Sequence, residues 1–264
     1  MDVPITKPLG AEIPINIDFA ALPLTRLEAM EAAAFVVLDS QQCLAEGATT
    51  VVGEVLKGQG AFVQWDHYPA GDVYDWNSHS QYYFHAHPPD RRANVWGAEH
   101  GHFHTFMRAA GMPPGTRPAD IPGNDSVAET DALSHIVALS MNREGQALRL
   151  FTTNRWVTGE QWYAAEDVIA LLDRFEIDQS VPSRPVNEWI TNLMRLFRPQ
   201  IEELLRRRDA ALADWQARFP KDETTAYDDR DLEVTSVTDI DVADQIERLA
   251  AELEVRRTGA GRAS

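Results

Sequence analysis

Imidazole side chains are concentrated in one short part of the sequence. Six of the eight histidines fall within residues 79–104, "HSQYYFHAHPPDRRANVWGAEHGHFH", and the other two are His67 and His135. Clustered imidazoles repel one another when protonated and need hydrogen-bond partners when buried. A bound metal ion removes both costs, because it requires neutral imidazoles and uses their lone pairs. The cluster therefore predicts a metal site, with a titrating surface and a structural polar network as the alternatives.

The two-residue spacing of these histidines is typical of β-strands that carry them on one face. Side chains alternate between the two faces of a strand, so residues two apart share a face. The same-face histidines are His79, His85 and His87 on the first predicted strand, and His100, His102 and His104 on the second. If the 88–98 connection joins the strands as an antiparallel pair, directly opposed Cβ atoms lie about 4.5–5.5 Å apart. Two imidazoles can converge on one ion from that separation.

A single register brings most of these side chains together. The predicted opposite pairs are His85 with His102, Tyr83 with His104, and His87 with His100. A slip of one residue would divide the set between the two faces of the sheet. The candidate metal ligands are therefore His85, His87, His100, His102 and His104. His67 and His135 lie on neighbouring predicted strands and could join them, whereas His79 is too far along its strand to bind the same ion.

The ligand type narrows the choice of metal. Imidazole suits zinc, copper, iron or nickel, whereas calcium and magnesium prefer oxygen ligands. A catalytic zinc site has three protein ligands and one open position. Many iron oxygenases use two histidines and one carboxylate, and Glu99 next to His100 is a candidate for that carboxylate. Alternatively, Glu99, Asp66, Asp72 or Asp75 could orient a ligand from outside the coordination shell, and the sequence assigns none of these carboxylates.

The "HAH" sequence at residues 85–87, followed by a second histidine strand, resembles the ligand arrangement of α-type carbonic anhydrases. In that family an HxH pair on one strand and a third histidine on the next hold zinc, and His85 and His87 match the pair. The family's Glu-x-His-x-x-His on the next strand is absent, because "EHGHFH" places Glu99 elsewhere. Cupin motif spacing is not met either. The resemblance thus concerns ligand chemistry, and it implies no family membership.

Two residues outside the histidine set are candidates for handling a small-molecule substrate. Tyr83 is predicted on the histidine face, where its hydroxyl could orient a bound water or substrate in a catalytic role. Arg155, in "NRWVTGEQWY", could bind a substrate carboxylate, since a guanidinium matches a carboxylate bidentately. A salt bridge to an acidic neighbour is the structural alternative for Arg155.

These residues favour a metal-dependent enzyme with a mononuclear, histidine-rich site on a β-sheet. Zinc would lower the pKa of bound water and support hydrolysis, hydration or elimination. Iron in the same place would activate dioxygen, and a non-catalytic metal-binding or metal-sensing protein is a third hypothesis. Haem ranks below these, because it would use only one or two of the histidines.

The elements around the histidine strands predict an α+β fold. A first helix is expected over 23–47, and further helices over 164–175, 185–219 with a kink or restart at Pro199, and 239–257. Between them, the predicted strands of an antiparallel sheet are 61–68, 79–87, 99–106, 133–141 and 147–156. The order of helices, then about five strands, then helices favours an α+β fold over a doubly wound parallel sheet. Residues 220–237 are expected to be loop.

Composition limits the partners and the domain organisation. The chain suits a single α+β domain over 1–220, followed by an acidic extension over 221–264 with one amphipathic helix. A net charge of −17 disfavours nucleic acid and anionic membranes as partners. No apolar run reaches the roughly 18 residues that span a bilayer. The absence of a secretory signal pattern at the start and the single cysteine favour the cytoplasm.

Overall fold

The computed structural model describes residues 14–86, 99–124, 132–220 and 225–260. Six strands form one antiparallel sheet in which every strand pairs with its neighbours in sequence. The strands are β1 (Tyr68–Tyr74), β2 (Ser80–His85), β3 (Gly101–Arg108), β4 (Leu133–Met141), β5 (Ala147–Thr153) and β6 (Val234–Asp239). The predicted α+β class with a central antiparallel sheet is confirmed.

Seven helices are present within the described residues. They are α1 (Leu24–Glu46), α2 (Val51–Leu56), α3 (Arg155–Thr158), α4 (Ala165–Leu171), α5 (Arg184–Leu196), α6 (Arg198–Arg218) and α7 (Val242–Ala260). The predicted first helix is confirmed to within one residue at each end. The restart predicted at Pro199 is confirmed as well, because α5 ends just before Phe197 and α6 begins just after it, with the proline in its first turn.

One face of the sheet packs against the helices and forms the main core. Tyr82, Phe84 and Phe103 point to this face and are fully buried. The Tyr82 hydroxyl donates a hydrogen bond of 2.6 Å to the Asn187 side chain of α5, which ties the second strand to the helical layer. Because side chains alternate, Tyr83 and His85 must then point to the opposite face. The helical layer thus determines which face carries the histidines.

The C-terminal part of the chain belongs to this sheet and core. The loop predicted over 220–237 is wrong for its last residues, since Val234–Asp239 forms β6 and pairs along β5. The Ser236 hydroxyl also donates a 2.8 Å hydrogen bond to the Leu204 carbonyl of α6. Helix α7 follows and packs on α1 through Leu249 and Leu253. The residues that follow the predicted boundary at residue 220 therefore include an edge strand of the same sheet and a helix of the same core.

The first predicted strand is displaced along the sequence. A strand was expected over 61–68, but β1 begins at Tyr68. Trp65 has a φ of +75°, in the left-handed region that interrupts an extended strand. Its backbone N–H still donates a 2.8 Å hydrogen bond to the Ala86 carbonyl, so this segment runs beside the end of β2. No helix in the described part of the chain is long and apolar enough to cross a membrane.

Candidate metal centre

Three imidazoles from the two central histidine strands converge on the face away from the helices. They belong to His85, His102 and His104, and one ring nitrogen from each lies within 4.8 Å of the others. The Nε2 atoms of His85 and His102 are 2.8 Å apart. His102 and His104 are almost fully buried, whereas His85 is half-buried. We call these three residues the histidine triad.

The pairing of β2 with β3 positions the triad. Its register places His85 opposite His102 and Tyr83 opposite His104, which confirms two of the three predicted pairs. Gly101 allows this close pairing, because a Cβ there would lie 2.6 Å from the His85 carbonyl oxygen. A side chain at this position would push the strands apart exactly where two of the imidazoles meet.

The ring of His102 is oriented by a carboxylate. Its Nδ1 lies 3.0 Å from Oε1 of Glu99, and both groups are largely buried. With the Nδ1 proton donated to Glu99, the Nε2 lone pair of His102 points toward the other triad members. This carboxylate–histidine pairing is the usual way in which proteins hold a metal-binding imidazole. Glu99 therefore supports a triad ring and is not one of the three converging ligands.

A second histidine orients His104. The Nδ1 of His104 lies 3.0 Å from Nε2 of His135, whose own Nδ1 is 3.5 Å from the Thr153 hydroxyl. The other ring nitrogen of His104, Nε2, is buried and has no hydrogen-bond partner among the described residues. A buried nitrogen without a partner loses its interaction with water without compensation. Among the described residues, this nitrogen is therefore left open to a ligand.

His135 reaches the triad because β4 contains a bulge. Thr105 pairs with Val137 and Phe106 pairs with His135, so Ile136 is an extra residue on β4. The extra residue changes the side-chain alternation, which turns His135 to the histidine face. Sequence periodicity contains no sign of a bulge, and His135 was predicted only as a possible neighbour.

Burial keeps the inner histidines neutral. The pKa of His104 lies well below its usual value, first because of desolvation and then because of the positive charge that His102 and His135 would carry. Desolvation, with the nearby Arg208 guanidinium, lowers the pKa of His135 to about 3. Neutral imidazoles are the form that binds metal ions. At neutral pH this part of the site therefore needs no deprotonation before binding.

A buried carboxyl group lies behind His135 and was missed in the sequence. Glu160 is 1% exposed, and its Oε2 accepts the His135 backbone N–H at 2.7 Å. The Thr158 hydroxyl donates to the other carboxyl oxygen at 3.0 Å. Desolvation raises the pKa of Glu160 to about 7, although Arg208 opposes the shift. Only the fold brings this residue near the site, since it follows β5 by a short helix.

Tyr83 and His67 form the rim of the triad. The Tyr83 ring lies 5.3 Å from the His104 ring and 5.6 Å from the His85 ring, between ring centroids. The His67 ring stacks on Tyr83 at 3.6 Å, and its Nδ1 lies 3.0 Å from Oδ1 of Asp72. Burial raises the pKa of Tyr83, so the phenol remains protonated and can act as a donor.

Several predicted site residues are not brought to the triad. His100 precedes β3, and its ring stacks on Phe62 and contacts Phe84 of the main core, so the expected alternation does not extend to it. His79, which the sequence placed too far along the strand to bind the same ion, lies just before β2 and bonds through Nδ1 to the Tyr74 hydroxyl. His87 and the 88–98 connection lie outside the described residues.

Arg155 makes the salt bridge that was the alternative interpretation. Its Nε donates to Oδ1 of Asp228 at 2.7 Å, and its Nη2 bonds to the other oxygen of the same carboxylate and to the Pro122 carbonyl. This bidentate pair raises the pKa of Arg155 and lowers that of Asp228. The Asp228 carboxylate thus takes the bidentate position on Arg155 that was expected for a substrate carboxylate.

Removing the charge of Glu99 tests its orienting role. Glu99→Gln keeps the size of the side chain but weakens the acceptor for His102 Nδ1–H. We expect metal affinity to fall about 10–100-fold, as is usual for a group that orients a ligand. Competition with a chromophoric zinc chelator measures this. Glu144→Gln, at an exposed position in the β4–β5 hairpin, is the matched control. Equal affinities in the two variants would contradict the role.

The fold and the site define an α+β protein with a buried three-histidine cluster on one face of a six-stranded antiparallel sheet. Residues 30–240 match the family described as Domain of unknown function (DUF6969), and because this match spans most of the chain, the protein belongs to that family. No curated protein and no solved structure matches the chain. The functional argument therefore depends on the geometry of the histidine triad.

Proposed function

We propose that the protein is a metal-dependent enzyme whose histidine triad holds one transition-metal ion. The observation that carries this proposal is the convergence of one ring nitrogen from each of three histidines. The Nε2 of His104, which is buried without a partner among the described residues, supports it. Two further groups, Glu99 and His135, orient triad rings through their opposite nitrogens. Three ligands with outer support are typical of catalytic zinc centres, which keep one coordination position open.

The His85–His102 pair of the triad needs only a small adjustment to hold such an ion. Two nitrogens bound to one zinc ion at about 2.1 Å in tetrahedral geometry lie about 3.4 Å apart. The His85 and His102 Nε2 atoms are 2.8 Å apart, so these rings would separate by about half an ångström on binding. His85 is half-buried at the end of β2, where its ring can make that movement.

The ligand set favours zinc over iron. Iron oxygenases of the two-histidine type bind the ion through a carboxylate, but the Glu99 carboxylate contacts the outer nitrogen of His102 instead. Three neutral imidazoles leave a zinc ion its full positive charge, which lowers the pKa of a bound water. We therefore propose hydrolysis, hydration or elimination of a small molecule, with Tyr83 as a neutral donor at the rim. An iron-dependent oxidation is the alternative.

A metal store or sensor fits the site less well. Storage needs many ligands, but the described residues bring only three histidines into one compact set. The rings of Tyr83, Phe106 and Phe151 surround the set, as expected for a centre that excludes bulk water. These contacts support an enzyme over a protein with only metal-binding capacity.

The proposal is tested on protein purified without an affinity tag. We expect about one zinc equivalent per chain by elemental analysis, as for a mononuclear three-ligand site. Zinc-dependent hydrolysis of 4-nitrophenyl acetate, an activated ester, should accompany it and disappear with a chelator. Metal content that stays near zero after reconstitution with zinc, iron, copper and manganese would end the hypothesis. Iron retention with oxygen consumption would select the alternative.

A further inference from the structure

A cavity of about 440 Å³ lies beside the first strands of the sheet. Its polar and aromatic lining comprises Asp72, Tyr74, Trp76, Gln81 and Arg108, and we call it the Trp76 pocket. By strand alternation, Gln81 and Arg108 share the face of Tyr83 and His104. Four residues separate Gln81 from His85, about 13 Å along the strand. The pocket is thus a separate site on the same face as the histidine triad.

Hydrogen bonds hold the guanidinium group of Arg108 in a defined orientation in this pocket. The Nε of Arg108 donates a 2.7 Å hydrogen bond to Oε1 of Gln81, and Nε2 of Gln81 donates at 2.6 Å to Oδ2 of Asp72. Because His67 contacts the other oxygen of Asp72, this carboxylate already has two partners. A guanidinium fixed in this way has little conformational entropy to lose when it binds a carboxylate.

A rigid turn presents an exposed indole at the same pocket. Oδ1 of Asp75 accepts the backbone N–H groups of Asn77 and Ser78, both at 2.9 Å, and Oδ2 accepts that of Asp178 at 2.8 Å. Asp75 is 2% exposed, while Trp76 is 79% exposed. An exposed apolar side chain is ordinary by itself. Here, however, the indole lies on a hydrogen-bonded turn and lines a cavity that the Arg108 guanidinium also lines.

The side chains indicate the chemistry of a ligand. The indole offers a flat face, with the Tyr74 ring edge-on at 4.5 Å between centroids, and a planar ring stacks well there. The guanidinium of Arg108 suits a carboxylate. We propose that the Trp76 pocket binds a small organic carboxylate that carries a planar ring, with the ring on Trp76 and the carboxylate on Arg108. This binding does not require a metal ion in the triad.

Benzoate and benzamide are probes that distinguish the two contacts, because they share a ring and differ in charge. Saturation-transfer NMR and calorimetry on chelator-treated protein would measure their binding. We expect benzoate to bind at least about tenfold more tightly than benzamide, as hydrogen bonds to charged groups predict. Arg108→Gln should remove this preference, Arg108→Lys should keep part of it, and Trp76→Ala should weaken both probes. Arg184→Gln and Trp156→Ala, at exposed positions elsewhere, should change neither.

Several results would overturn the proposal. No benzoate binding up to about 10 mM is one, and equal affinity for the two probes is another. Unchanged benzoate binding by folded Arg108→Gln protein also contradicts it. Binding that needs added zinc and is lost in His102→Ala would place the carboxylate at the triad instead. That last result would support the metal centre while removing the pocket, so failures of the two proposals are distinguishable.

Discussion

His102→Ala and His104→Ala proteins are expected to retain almost no metal when they are purified beside a wild-type protein that carries about one equivalent. Each substitution removes one of the three nitrogens that converge among the described residues. Loss of a direct ligand should exceed the roughly 10–100-fold loss that follows removal of an outer partner. His85→Ala should behave in the same way and is the variant least prone to unfold, since His85 is half-buried. Elemental analysis with circular dichroism measures content and folding together.

Two histidines from the same stretch of sequence provide the controls. His79 bonds to Tyr74 and His100 stacks on Phe62, both outside the triad. His79→Ala and His100→Ala proteins should keep their metal. Equal, small losses in all five variants would indicate a diffuse store or a titrating surface, and the enzyme proposal would then be abandoned.

The metal-free protein is expected to lose about 2 kcal/mol of unfolding free energy between pH 6.5 and pH 5. Folding lowers the pKa of His135 to about 3 and lowers that of His104 well below its usual value. As the pH falls through this range, these two histidines go from about half protonated to almost fully protonated in the unfolded chain, while burial keeps them neutral in the native state. Stability that depends on neutral histidines is complete above their unfolded pKa and is lost as the pH falls.

The titration of Glu160 opposes this loss of unfolding free energy and provides a control. Its pKa is raised to about 7, so over the same range the native state holds a proton that the unfolded chain has largely released. The net difference is then roughly one proton, which corresponds to the 2 kcal/mol above. Glu160→Gln removes the opposing contribution, and the loss of stability should become about twice as steep in pH.

Urea unfolding at a series of pH values would measure both slopes. The carboxyl groups with lowered pKa values, such as Asp75 and Asp173, influence stability mainly below this range. His100, whose pKa burial also lowers, adds a contribution of the same sign as the triad. A wild-type unfolding free energy that stays flat from pH 6.5 to pH 5 would show that the buried histidines do not resist protonation.

Much of the candidate site follows from local sequence. Alternation placed His85, His102 and His104 on one face, and antiparallel pairing predicted the register that joins them. Both depend on short-range strand geometry, because the histidines lie on adjacent strands. The order of helices and strands similarly predicted the α+β class, and the proline in α6 predicted the restart of the long helical segment.

Other features depend on contacts between distant parts of the chain. A bulge in β4 turns His135 toward His104, and burial shifts the pKa of Glu160. His100 does not lie on its predicted face, because β3 begins only at Gly101. Its ring stacks on Phe62 instead. Local periodicity does not encode bulges, strand ends or desolvation, since each arises from packing against segments remote in sequence.

The edge strand β6 was missed for a different reason. Its residues, 234–239, follow a polar segment, but four of the six are β-branched, a strand signal that the expectation of a loop over 220–237 overlooked. Pairing with β5 and the bond from Ser236 to α6 make them a strand. The sequence alone determined which stretch is rich in imidazole side chains and which neighbouring strands carry three of them on one face. Tertiary structure decided which three meet and which groups orient them, because those outcomes depend on long-range pairing and burial.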